Sequence, residues 1–299
     1  MDKRRVISIL LLGLAAFIWG SAFVAQSVGM DYIGPFTFAA MRSFLGGLAL
    51  LPVILWMDKK KNKDRSSKQG DRPRKILFVG GICCGTAMAI ASSLQQIGMK
   101  YTTVGKAGFI TALYIVIVPI LGVFLKKKVR PLVWFSVILA VIGLYFITMT
   151  DTLTLEKGDY YMLLCAFFFS IHILVIDYFS PKVDGIRMSC IQLFFCGILC
   201  SIPMLIVEHP QISNIIAAGI PILYAGIMSS GIAFTLQIVG QKNVNHVLAS
   251  LICSLESVFA VLCGWIILKE NLTSKELIGC FIVFTSIVLA QMPERKKQK

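Results

Sequence analysis

The sequence predicts an all-α integral membrane protein of ten transmembrane helices, built as two inverted five-helix repeats with both termini in the cytoplasm. Three observations lead there. Of 299 residues, 57% are hydrophobic and only 15% charged, with a mean hydropathy of +0.81, against ~45–50% apolar and ~25% charged in soluble domains. The apolar residues fall into stretches of about the 20 residues needed to cross a ~30 Å hydrocarbon core. The basic residues behind the net charge of +14 cluster in the breaks between those stretches. There they read as a topology signal rather than a nucleic-acid surface, so no nucleic-acid partner is expected.

The first span, 6–28, follows Lys3, Arg4 and Arg5. A charged-then-apolar start also opens a signal peptide, but this stretch runs on past Trp19 and partly recurs later, so it reads as a retained helix. The second, 35–57, carries Arg42 and precedes the polar run 58–75, a cytoplasmic loop too polar to pack. Spans 75–98 and 104–125 hold Gln95 and Gln96 and a helix-bending Pro119, and 131–149 closes the first half, 1–150. The second half, 151–299, supplies spans 159–177, 187–207, 217–240, 244–268 and 275–292. With a cytoplasmic N-terminus, 23 of the 29 Lys and Arg lie on that side, five lie opposite, and Arg42 is in the membrane; that is the positive-inside bias. The nine cysteines sit in apolar stretches without zinc-ligand spacing and read as small buried apolar residues. No metal and no cofactor are expected.

The halves resemble each other. ILFVGGICCGTA (76–87) lines up with ILYAGIMSSGIA (222–233) at a difference of 146, pairing Gly80 with Gly226 and Gly85 with Gly231. After a four-residue deletion, Leu94-Gln95-x-x-Gly98-x-Lys100 matches Leu236-Gln237-x-x-Gly240-x-Lys242 at 142. Earlier the difference is 150, pairing Phe44 with Phe194 and Gly47 with Gly197 and setting Arg42 against Gln192. A duplicated unit with an odd number of spans must enter the membrane from the opposite side. Inverted repeats place a substrate site near the midplane and point to a secondary transporter. One chain then suffices for a pathway, which is compatible with a homodimer.

At these motifs the chain resembles the drug/metabolite transporter superfamily, in its ten-span EamA-type branch. LAAFIWGSAFVAQ (14–26) is similar to that family's first helix and FTFAAMRSFLGGLALL (36–51) to its second, Arg42 included. LASLICSLESVFAVLCGWIILKENLTSKELIG (248–279) resembles the end of the second repeat. Members commonly carry Glu-Pro where this chain has Glu256-Ser257, so the proline that would break that helix is absent. Lys126-Lys127-Lys128 stands where many members have an acidic residue. The resemblance implies a multi-pass carrier of the cytoplasmic membrane, often an exporter of amino acids, other metabolites or toxic compounds. It also implies a cavity among spans 1–4 and 6–9.

Ionisable side chains in hydrocarbon are costly and are functional candidates by default. Arg42 offers a planar donor fork suited to a carboxylate or phosphate, or else makes a structural pair. Glu256, mid-span, accepts a substrate ammonium, carries a coupling proton or pairs with Arg42. His172 is a proton shuttle or simply a hydrogen-bonded helix histidine. Gln95, Gln96 and Gln237 offer neutral donors and acceptors, or interhelical bonds. Trp19 and Tyr114 stack on a cationic or aromatic substrate. No P-loop, His-Glu-x-x-His or Gly-x-Ser-x-Gly is present, so ATP-driven pumping and hydrolytic enzymes are not expected. The expected partners are a small-molecule substrate and membrane lipid. The rival readings are an integral-membrane enzyme, a channel and a non-transporting scaffold.

Overall fold

The computed structural model describes residues 3–63, 74–102, 104–127, 129–148, 156–267 and 273–292, and every regular element among them is helical. Helices satisfy their backbone groups internally, which hydrocarbon demands. Eight segments are long and apolar enough to cross a membrane, and two shorter apolar helices, Pro131–Phe146 and Leu277–Ala290, accompany them.

In chain order the first elements are α1 (Lys3–Gly29), α2 (Pro35–Lys63) and α3 (Arg74–Met99). The fourth apolar segment is interrupted, giving α4 (Val104–Ala112) and α5 (Tyr114–Phe124), and α6 (Pro131–Thr148) follows. Next come α7 (Lys157–Phe179) and α8 (Gly185–Pro203), the latter extended by a π turn, Met204–Glu208. A short α9 (Ile212–Ala217) leads to α10 (Gly219–Leu223), a ten-residue π stretch (Tyr224–Ala233) and α11 (Phe234–Gly240). The ninth apolar segment is again interrupted, as α12 (His246–Cys253) and α13 (Leu255–Ile267), and α14 (Ser274–Gln291) ends the bundle.

Local sequence sets the ends and the breaks. Prolines begin α2 and α6, where the missing N–H costs nothing. Asp184 accepts from the amides of Ile186 and Arg187 to start α8, and Asn245 accepts from Leu248 N at 2.8 Å to start α12. The break in the ninth segment falls at Ser254 without any proline. The Ser254 hydroxyl donates to Leu251 O at 2.7 Å, the kind of side-chain bond that competes with the helix ladder. The fourth segment breaks at Leu113, whose amide takes a tight bond to Ile110 O; Pro119 lies beyond it, inside α5. The polar run after span 2 also differs from expectation. Helix α2 continues through Lys63, and Asp58 is tied to Arg187 rather than solvated freely.

The tightest crossings are made where glycines remove side chains. A Cβ on Gly47 of α2 would lie 3.1 Å from the Phe194 ring of α8, and one on Gly197 of α8 would lie 2.9 Å from the Phe44 ring of α2. Beside them, a Cβ on Gly46 would stand 2.8 Å from Gly226 O and 2.9 Å from Gly231 N. Gly98 of α3 meets Met162 and Gly158 O of α7, while Gly240 of α11 meets Leu12 and Ser8 O of α1. Gly20 of α1 seats against Glu256 O of α13, which fixes the height of that carboxyl group.

The ends of α2 and α8 are fastened to one another. At one end Glu208 accepts from Phe36 N (2.8 Å), Thr37 N (2.7 Å) and Thr37 Oγ1 (2.6 Å). Hydrogen bonds to charged groups are worth about 1.5–3 kcal/mol each, and an anion also suits a helix N-terminus. At the other end Asp58 and Arg187 form an ion pair, 42% and 38% exposed, of a kind worth about 0–1 kcal/mol.

Gly46→Ala is expected to destabilise the protein by about 1–3 kcal/mol, because the new methyl overlaps backbone that cannot rotate away. Gly13→Ala, inside α1 and with nothing within 4 Å of the new atom, is expected to raise the unfolding midpoint in detergent, since Ala favours a helix interior by about 1 kcal/mol over Gly.

Candidate functional site

Half-way along the bundle the helices leave a cavity lined by Trp19, Phe23 and Gln26 of α1, Arg42 of α2 and Gln95 of α3. Thr111 and Tyr114 reach it from either side of the break at Leu113, and Cys253 and Glu256 from either side of the break at Ser254. Interrupted helices thus present side chains and loosened backbone at mid-depth, the arrangement that suits a binding site in hydrocarbon. Phe169 and Ile173 of α7, Ser229 of the π stretch, and Phe234 and Gln237 of α11 complete the wall. Trp19 packs on Phe234 at 5.0 Å between ring centroids, and Phe169 stacks on Phe234 at 6.5 Å.

Six of the eight residues singled out from the sequence meet here: Trp19, Arg42, Gln95, Tyr114, Gln237 and Glu256. The other two do not. Gln96 is fully buried and turns its Nε2 toward Met30 Sδ at 3.6 Å. His172 lies one layer behind the wall, edge-on to Phe234, with Nε2 3.1 Å from Gln192 Oε1. That histidine–glutamine bond accounts for the residue set against Arg42 in the sequence comparison.

The charged groups are buried and do not pair with each other. Arg42 is 2% exposed and its Nη1 donates to Gln26 Oε1 at 2.9 Å, not to Glu256. Glu256 is 5% exposed and accepts from the Tyr114 hydroxyl at 2.9 Å. Among the described residues no ion pair joins the two. Arg42 Nε, Trp19 Nε1 and Gln237 Oε1 are buried with no hydrogen-bond partner among the described residues. A buried charge with so few bonds is expensive unless something compensates it. The cavity therefore offers spare donors beside a cation and spare acceptor capacity beside an acid.

Gln26, Thr111 and Ser229 were not visible as candidates in the sequence. Gln26 had a signal: Trp19, Phe23 and Gln26 fall at i, i+4 and i+7, one face of a helix. The space open to the centre of a water molecule is about 40 Å³. One water needs ~10–15 Å³, so the cavity has room for a few waters.

Gln26→Leu leaves the Arg42 guanidinium without a bond and is expected to cost about 1–3 kcal/mol. Gln26→Leu combined with Arg42→Met removes both partners and is expected to recover most of that loss. A double-mutant cycle of thermal unfolding in detergent reads the coupling.

An all-helical, multi-pass bundle with a central cavity where apolar and polar side chains meet has the build of a membrane transporter. The chain belongs to the EamA-like transporter family, which matches residues 6–149 and again 156–292, within the drug/metabolite transporter superfamily. It is similar to an uncharacterized transporter of Archaeoglobus fulgidus, 29% identical over 295 residues, covering 97% of this chain and 87% of that one. The uncharacterized transporter YoaV of Bacillus subtilis is 23% identical over 287 residues, 93% of this chain and 95% of the relative. A WAT1-related chloroplastic protein of Arabidopsis thaliana is 23% identical over 292 residues, 93% of this chain and 68% of that protein. One solved crystal structure of a protein shares the fold, with a TM-score of 0.74 at 16% identity, over 95% of this chain and 96% of the other.

Proposed function

We propose that the protein is a secondary transporter that exports amino acids or related zwitterions across the cytoplasmic membrane by alternating access, without enzymatic activity. The observation that carries this reading is the pair of unspent charges in one cavity. Arg42 and Trp19 have donors to give to a carboxylate, and Glu256 and Gln237 have acceptors for an ammonium. Gln95 and Thr111 fill in neutral bonds, and the aromatic wall of Phe23, Phe169 and Phe234 takes an apolar side chain.

The ten-span architecture of two inverted repeats, 1–150 and 151–299, with cytoplasmic termini, is part of the same proposal. Reciprocal contacts support it. The Gly47–Phe194 and Gly197–Phe44 contacts exchange under a shift of 150, as do the Thr37–Glu208 and Arg187–Asp58 fastenings. Gly98 on Met162 and Gly158 becomes Gly240 on Leu12 and Ser8. Such exchange of like contacts is what a two-fold relation produces. The twofold family match over the two halves agrees. A single chain holds the whole cavity, which is compatible with either a monomer or a homodimer.

The test is counterflow in proteoliposomes with radiolabelled amino acids, alongside thermal unfolding with the same compounds. A substrate at 100 times its Kd is expected to stabilise the protein by about 2.7 kcal/mol. Arg42→Gln and Glu256→Gln are each expected to abolish that shift and to reduce counterflow at least tenfold. Normal counterflow in both variants overturns the assignment of the site.

A further inference from the structure

We infer that the two fastened ends of the α2–α8 pair are the gates of this carrier, and that the resting protein opens toward the face bearing Asp58, so that substrate loads from that side. The inference rests on the alternating-access reading and adds to it the helix ends that gate it and the face that opens at rest.

The two helices run antiparallel and touch most closely at their middle, where Gly47 and Gly197 admit the Phe194 and Phe44 rings. A crossing that tight, with a fastening at each end, is a pivot between two latches. Tilting one helix on the other parts one end while the other stays shut. Both fastenings are made in this structure.

The latches differ in what their opening exposes. Helix α2 has no cap of its own, because Gly34 precedes Pro35 and carries no side chain. Glu208 from the end of α8 takes that place, holding two amides and a hydroxyl. The chain is shaped to admit it: a Cβ on Gly34 would fall 2.2 Å from Glu208 Cδ. The π turn Met204–Glu208, closed by His209 in the left-handed region at φ 44°, delivers the carboxylate. Opening this end strips three donors at once. At the other end Asp184 already caps α8 with its own side chain. Parting Asp58 from Arg187 there leaves no backbone group unpaired, and both charges are already in water. The Asp58 face is also the lysine-bearing one, with Lys59 and Lys60 next in sequence, which the charge bias assigns to the cytoplasm. Loading from that face means export.

Cys253 lines the cavity and is 1% exposed, so it reports which face is open. The test measures modification of Cys253 by a membrane-impermeant maleimide, read by peptide mass spectrometry on the native full chain. Intact cells present one face and inverted membrane vesicles the other. Trypsin cleavage in the 58–75 run establishes which face carries it. The native protein is expected to react roughly tenfold faster from the Asp58 face, the factor for one charge-assisted hydrogen bond. Glu208→Gln is expected to raise the rate from the opposite face and lower it from the Asp58 face. Thr37→Val, which removes one bond only, should act in the same direction with a smaller effect. Asp58→Asn is expected to strengthen the native preference. A native protein that reacts faster from the face opposite Asp58 overturns the inference while leaving the carrier reading to its own counterflow assay. Equal rates from both faces that none of the variants alters overturn alternating access itself.

Discussion

The bundle depends on one close approach. Helices in hydrocarbon gain nothing from hiding apolar surface, since lipid tails are as apolar as leucine, so they associate through packing and hydrogen bonds. At the α2–α8 crossing, Gly47 and Gly197 let backbone and ring meet with no side chain between, and beside it Gly46 admits the backbone of the π stretch. Everything around it is placed by that contact. Arg42 stands one turn from Gly46 on α2 and so enters the cavity. Gly226 and Gly231 bring the π stretch against the same helix, which sets Ser229 in the wall.

With the scaffold fixed, the cavity is defined by polar groups that are left incompletely bonded. Many buried hydroxyls of the bundle are spent on structure: Ser257 Oγ on Gly108 O at 2.8 Å, Ser170 Oγ on Ala166 O at 2.7 Å, Thr235 Oγ1 on Ser189 Oγ at 2.8 Å. What sets the cavity apart is that ionisable side chains face it with few bonds. Arg42 has one neutral partner, Gln26, and Glu256 has one, Tyr114. A guanidinium and a carboxyl group thus share one space without bonding to each other.

How much was legible in the sequence follows from what each residue type announces. Arg42 and Glu256 stood out because a charge in an apolar run is costly and calls for a partner or a role. Gln26 did not, because an amide within an apolar helix has many. Gln95 and Gln96 looked equivalent, yet adjacent helical positions point ~100° apart, and only Gln95 faces the cavity. The break before Glu256 was hidden because proline is the usual signal and here serine hydroxyls supply it. Asp58 read as the first residue of a polar loop because its partner, Arg187, is far away in sequence. Side-chain pairs across helices are a property of packing, and composition does not record them.

The ten-residue π stretch, Tyr224–Ala233, has a history to tell on the proposed duplication. The sequence comparison set Gly226 against Gly80 and then needed a four-residue deletion. Contacts set it against Gly85 instead. Gly85 lies on Gln192 O and Phe195 Cβ, and Gly226 lies on Arg42 O and Leu45 Cβ, the same neighbours shifted by 150. Further along, Gly98 and Gly240 correspond at 142. Between these glycines the second half is one residue longer than the first. An α-helix that simply took in that residue would rotate everything beyond it by ~100° and swing Gln237 out of the cavity. Widened turns absorb it, so Gln237 still stands in the wall with Gln95, and the insertion left the pathway's lining intact.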